Sequence, residues 1–100
     1  MQVTRPVIST RIKVHADQID QALKVFRATQ DDVNANEPGT VFYQFNQRED
    51  DPTVFWAHEV FADEAAKKHH LERLLSNQQL QKDLEALYAA PPEMSEAHEV

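Results

Sequence analysis

One segment constrains the fold of this chain more than any other. From Thr53 to Phe61 it reads Thr-Val-Phe-Trp-Ala-His-Glu-Val-Phe, and in a strand successive side chains point to opposite faces. Phe55, Ala57, Glu59 and Phe61 then share one face, and Val54, Trp56, His58 and Val60 the other. Large apolar groups stand on both. A sheet with one solvated face alternates cleanly instead, so both faces of this strand need cover. Thr40 to Arg48 makes the same demand, with Val41, Tyr43 and Phe45 on one side and Phe42 on the other.

The rest of the pattern supplies cover for one face only. Val7 to Val14 alternates, placing Ile8, Thr10, Ile12 and Val14 together and Ser9, Arg11 and Lys13 opposite. Asp17 reads as a helix N-cap with Asp20 in the first turn. Ile19, Leu23, Phe26 and Val33 follow at helical spacing, with Ala22 beside them, to about Asn34 or Ala35. Glu37-Pro38-Gly39 ends this segment, and Gly39, the only glycine in the chain, suggests a turn with positive φ. Glu49-Asp50-Asp51-Pro52 reads as a hairpin connection. Asp63 caps a second helix to about Leu75, and Ser76 or Asn77 starts a third over Gln78 to Ala89, with Leu80, Leu84, Leu87 and Tyr88 on its apolar side. Pro91-Pro92 stops it. Glu93 to Val100 has room for one short strand, at the sheet edge or exchanged with a partner.

The order β-α-β-β-α-α-β predicts a single α+β domain over residues 1–100, a ferredoxin-like two-layer sandwich. The first two strands can run parallel through a right-handed crossover, with the helices on one face. The other face, with Trp56, Val54 and Phe42, is left open. Exposing them forgoes about 1.5–3 kcal/mol per large apolar side chain and leaves a patch that soluble monomers rarely carry. A second copy in a two-fold homodimer is the simplest cover. The alternative is that the tail or third helix wraps over it.

Composition excludes several classes. The net charge is −7, with 10 basic residues scattered along 100, so neither nucleic acid nor an anionic membrane surface is an expected partner. No apolar run approaches a membrane span and no signal-peptide h-region is visible. There is no cysteine, which rules out disulfides and thiol chemistry. A cytoplasmic location is the expectation. A single glycine cannot build a phosphate loop, and no nucleotide-cofactor motif occurs.

His70 is the main candidate for chemistry. Ala66, His70 and Leu74 share an inward stripe of the second helix, whereas His69 is turned about 100° away. Glu59 is the carboxylate on the otherwise apolar helix-facing side of the third strand. A buried carboxylate needs a partner, and a Glu–His pair would satisfy both groups and suit proton transfer near neutral pH. The same pair could be purely structural. Adjacent His69 and His70 project differently and no ligand-spacing motif is present, so no metal is expected. His15, His58 and His98 read as surface, dimer-face and tail residues. Ser9 and Ser76 lack a nucleophile context.

Glu37-Pro38-Gly39-Thr40-Val41-Phe42-Tyr43, then Phe55-Trp56-Ala57-His58-Glu59-Val60-Phe61-Ala62-Asp63-Glu64-Ala65-Ala66, then His70, resembles the antibiotic biosynthesis monooxygenase superfamily. The resemblance spans nearly the whole chain. It implies a dimeric ferredoxin-like α+β barrel with a pocket between sheet and helices, lined here by Thr10, Phe61, Glu59 and His70; Phe55 and Tyr43 are further candidates for substrate contact. Family members include cofactor-independent quinol monooxygenases, haem-degrading oxygenases and an isomerase of a phosphorylated sugar. Thr10 and Phe61 replace the asparagine and tryptophan of the haem-degrading members, and the third helix has no histidine. Leu75 stands about where the isomerase-like members carry a second histidine. The leading expectation is therefore a monooxygenase of a quinol or polyphenol that uses molecular oxygen and no cofactor, with His70 as base and Glu59 orienting it. A cofactor-free isomerase of a small carbonyl compound and a non-catalytic binding or stress-related module are the alternatives.

Overall fold

A computed structural model describes residues 4–100. The order is β1 (Pro6–Lys13), α1 (Ile19–Asn36), β2 (Thr40–Gln47), β3 (Val54–Phe61), α2 (Glu64–Ser76), α3 (Gln78–Leu87) and β4 (Glu93–His98). The strands form one sheet in the order β2-β3-β1-β4, antiparallel at every neighbouring pair. This is the α+β ferredoxin-like fold. β1 and β2 run parallel, as expected, with β3 between them. Among the described residues no helix is long and apolar enough to cross a membrane.

Apolar periodicity put the layers together. Ile8, Ile12 and Val14 of the first strand segment are buried, as are Ala22, Phe26 and Val33 on the inward stripe of α1. One end of the layer is aromatic. The Phe26 and Phe45 rings stack with centroids 4.4 Å apart, and Phe55 meets Phe26 edge-on at 5.0 Å. Asp63 caps α2 by accepting from the Ala66 backbone N–H, and Asn77 caps α3 by accepting from Leu80.

Four local expectations are corrected. Asp17 does not cap α1; it lies in a 3₁₀ turn, Ala16–Gln18, that precedes the helix, a common way to tighten a helix entry. Gly39 has no positive φ. Its reason is steric: a Cβ there would stand 2.7 Å from the Ala66 Cβ, so glycine lets α2 lie directly on the start of β2. Val41 does not join Tyr43 and Phe45 inside. A register shift between Thr40 and Phe42 interrupts the alternation, and Val41 is exposed beside Phe42. Finally, Val54 and Val60 are already buried within the chain, because β3 is flanked on both sides by β1 and β2. Of the large apolar groups on the outer face, Trp56 and Phe42 remain 42% exposed, with Val41 at 49%.

The tail forms β4 on the free edge of β1, exposed along its whole length. Ion pairs hold it: Arg5 with Glu99, Arg11 with Glu93 and Lys67 with Glu96.

Candidate active site

At the end of the layer away from the aromatic cluster, three ionisable side chains are buried together. His70 is the buried residue of α2, and Glu59 and Glu37 are buried with it. His70 Nε2 lies 3.0 Å from Glu59 Oε1. Nδ1 lies 2.8 Å from Glu37 Oε1 on the other side of the ring. His69, one residue earlier, is exposed. The inward histidine and the odd carboxylate of β3 are therefore brought together.

Glu37 is anchored further. Its Oε1 accepts the Thr40 hydroxyl at 2.8 Å, and its Oε2 accepts from an Arg73 guanidinium nitrogen at 2.5 Å. Arg73 also reaches Asp32 of α1 at 3.0 Å. Charges alternate along this row: Glu59, His70, Glu37, Arg73, Asp32. Two buried carboxylates face the imidazole and one guanidinium, which balances the charge when the ring is protonated and limits the cost of burying it.

The protonation states follow from the contacts. Burial alone would push the His70 pKa down, but Glu59 and then Glu37 outweigh it and hold it above the ordinary imidazole value. Burial would raise the Glu37 pKa, yet hydrogen bonds from Thr40, His70 and Arg73 bring it below the usual carboxylate range. Tyr43 packs its ring 5.3 Å from His70; burial first, and then Glu59 and Glu37, push its phenol far upward, so it stays neutral.

A cavity of about 230 Å³ opens on this cluster. Glu59 and His70 form its polar end. Ile8 and Thr10 of β1, Leu71 and Leu74 of α2, Leu84 of α3 and Tyr88 just after it form its walls. Thr10 thus stands where expected. Phe61 and Tyr43, expected at the substrate, do not line the cavity: Phe61 is fully buried behind the ring, its centroid 5.3 Å from that of His70, and supports the histidine as Tyr43 does. Phe55 is not brought to the cavity. It lies four residues from Glu59, about 13 Å along β3, in the aromatic cluster with Phe26. The three acidic and imidazole groups do not converge on one point, since the carboxylates occupy opposite ring nitrogens; among the described residues no group of three or more His, Cys, Asp or Glu is placed to hold a metal ion.

Sequence reasoning missed Glu37 and Arg73. In the sequence Glu37 reads as a helix end and as the first residue of the motif behind the family resemblance, with no role at the site; Arg73, at the third position after His70, is the one hint of a second charged contact on that helix face.

The model of the antibiotic biosynthesis monooxygenase family matches residues 7–99. The chain belongs to this family. A candidate antibiotic biosynthesis monooxygenase from Caulobacter crescentus superposes with a TM-score of 0.86 at 23% identity, covering 97% of this chain and 91% of that one. One from Nitrosomonas europaea gives 0.86 at 20% identity, covering 100% and 94%. A protein of unknown function from Nitrosomonas europaea gives 0.71 at 24% identity, covering 97% and 90%. At these identities the likeness establishes the fold. No curated protein matches the sequence. Membership supports a monooxygenase-like activity on a small molecule.

Proposed function

We propose that this member of the antibiotic biosynthesis monooxygenase family oxidises a quinol or polyphenol with molecular oxygen and without a cofactor. The observation that carries the proposal is the His70–Glu59 pair at one end of a largely apolar cavity. The cavity is larger than the roughly 150 Å³ that accommodates benzene in a protein core, so a hydroxylated one- or two-ring compound fits. Its lining carries Glu59 and Glu85 and no lysine or arginine, which favours an uncharged phenol over a phosphorylated or carboxylated substrate.

In this reading the pair takes the proton of a substrate hydroxyl, with His70 as the central base and Glu59 at its Nε2. The phenolate passes one electron to oxygen, and the resulting radicals join to form a carbon–oxygen bond. The pair returns its proton to the outer peroxide oxygen, and the hydroperoxide then loses water by breaking its O–O bond and the C–H bond of the attacked ring carbon. One oxygen atom stays on the ring and the other leaves as water. The substrate supplies all four electrons, so no external reductant is needed. Thr10 and the apolar walls hold the ring, and a low-dielectric cavity strengthens the influence of the pair on the reacting oxygen.

The test is oxygen uptake with a panel of hydroquinones. Uptake by the wild type that collapses in His70→Ala supports the assignment; equal rates in both end it. Turnover that persists without oxygen points instead to proton transfer on a carbonyl compound.

The same reading includes a homodimer. Trp56, Phe42 and Val41 leave apolar area on the outer face of the sheet, and a second copy covers it. Sedimentation should give twice the chain mass for the wild type and the chain mass for Trp56→Glu.

A further inference from the structure

Glu37 is buried, charged and outside the substrate cavity, and the chemistry above does not use it. Its contacts give it a definite role. Arg73 and Thr40 hold its carboxylate ionised, so the hydrogen between Glu37 Oε1 and His70 Nδ1 must belong to the ring. With Nδ1 occupied, the other nitrogen faces Glu59 Oε1 at 3.0 Å. Two lone pairs cannot sit at that distance without a proton between them. One exchangeable proton is therefore confined to the Nε2–Oε1 gap, which is the end that opens on the cavity. If Glu37 were absent, the ring could carry its single proton on Nε2 and donate it to Glu59. Its remaining lone pair would then point away from the substrate.

We propose that Glu37 is a positioning residue that fixes His70 in the Nδ1–H form, with Arg73 setting how strongly the Glu37 charge acts on the ring. The logic is that of a carboxylate behind a catalytic histidine, reached on this fold through the turn after α1. It rests on the reading of His70 and Glu59 as the proton-exchanging pair. A crevice of about 30 Å³ lies beside Glu37, His70, Arg73 and Asp32, on the side of the ring away from Glu59. It is large enough for a water molecule, so the Nδ1 side has its own polar surroundings, separate from the cavity.

All the charged and titratable groups around the ring enter the expected response. Glu59 faces it from β3, Tyr43 from β2, Glu37 from the turn, Asp32 from α1 and Arg73 from α2. Glu85 of α3 and Tyr88 just after it share the cavity. Lys67, one turn earlier on α2, is engaged by Glu64 and Glu96. Only Glu37 and Arg73 differ in sign while acting through the same atom of His70. Changing each in turn should therefore move the ring in opposite directions.

Nitrogen-15 NMR of the full chain without substrate reads both the His70 tautomer and its titration midpoint. Glu37→Gln should lower the midpoint and populate the Nε2–H form. Arg73→Gln, at a partly exposed site that tolerates substitution, should raise the midpoint and keep the Nδ1–H form. In oxygen uptake with a hydroquinone, Glu37→Gln should lose about tenfold or more in kcat with little change in KM, and Glu37→Asp should recover part of it. Midpoints that stay put, or that move the same way in both variants, overturn the proposal. If Glu37→Gln does not fold, the direction of the Arg73→Gln shift decides alone. Because the NMR needs no turnover, its failure is separable from failure of the monooxygenase reading.

Discussion

The layer between sheet and helices has two ends that share strand β3 and solve burial differently. At one end Phe55 joins Phe26 and Phe45 in an aromatic cluster of stacked and edge-on rings. At the other, Glu59 on the same face of the strand meets His70, and Glu37 meets the ring from behind. The first end contributes burial that is roughly independent of pH. The second places mutually compensating charges where apolar side chains would pack better, a common compromise at functional sites. On the proposed function, stability and chemistry are divided along one strand, four residues apart.

The largest effect should come from the polar end. His70→Ala should lower the rate of hydroquinone oxidation by about 10²–10⁴-fold, the usual contribution of a positioned acid–base group, measured by oxygen uptake. The aromatic end should answer in stability instead. Phe55→Ala should cost about 3–5 kcal/mol in denaturant unfolding, and any His70 variant that remains folded should keep the aromatic cluster intact.

Gly39→Ala tests how the two ends are held together. An added Cβ would collide with Ala66 and lift α2 from β2, at about 1–3 kcal/mol. The same movement lengthens the Glu37–His70 contact, so activity should fall with stability. A variant that loses stability and keeps full activity would show that α2 can shift without disturbing the site.

The smallest effect is the pH dependence of stability, and it should belong to the polar end alone. The folded His70 pKa is raised, so its contribution is complete below the ordinary value of 6.5 and fades as pH rises through the folded value. The folded Glu37 pKa is lowered, so its contribution is complete above the ordinary 4.5 and fades as pH falls through the folded value. Their joint contribution is greatest between about pH 4.5 and 6.5. Replacing the pair with Gln at 37 and 70 should flatten that dependence in thermal unfolding across a pH series, whereas Phe55→Ala should lower the whole curve and leave its shape.

Much of this was legible from residue order. Period-two alternation placed Glu59 beside Phe61, and helical spacing turned His70 inward and His69 out, because both periods are fixed by backbone geometry. The N-caps at Asp63 and Asn77 followed from side chains that satisfy orphan backbone donors. The turn chemistry was less readable. Gly39 looked like a conformational requirement and is a steric one, since the nearest obstacle, Ala66, is 27 positions away in the chain and enters only when α2 docks.

The sequence by itself determined the element order, the inward faces of β3 and α2, and hence that a carboxylate and an imidazole share one layer. Tertiary structure alone decided that Glu37 and Arg73 complete the row. Glu37 sits at a helix C-terminus, where no periodicity governs the direction of the side chain, and its approach to His70 exists only because the chain between them folds into a hairpin and returns α2 over the turn.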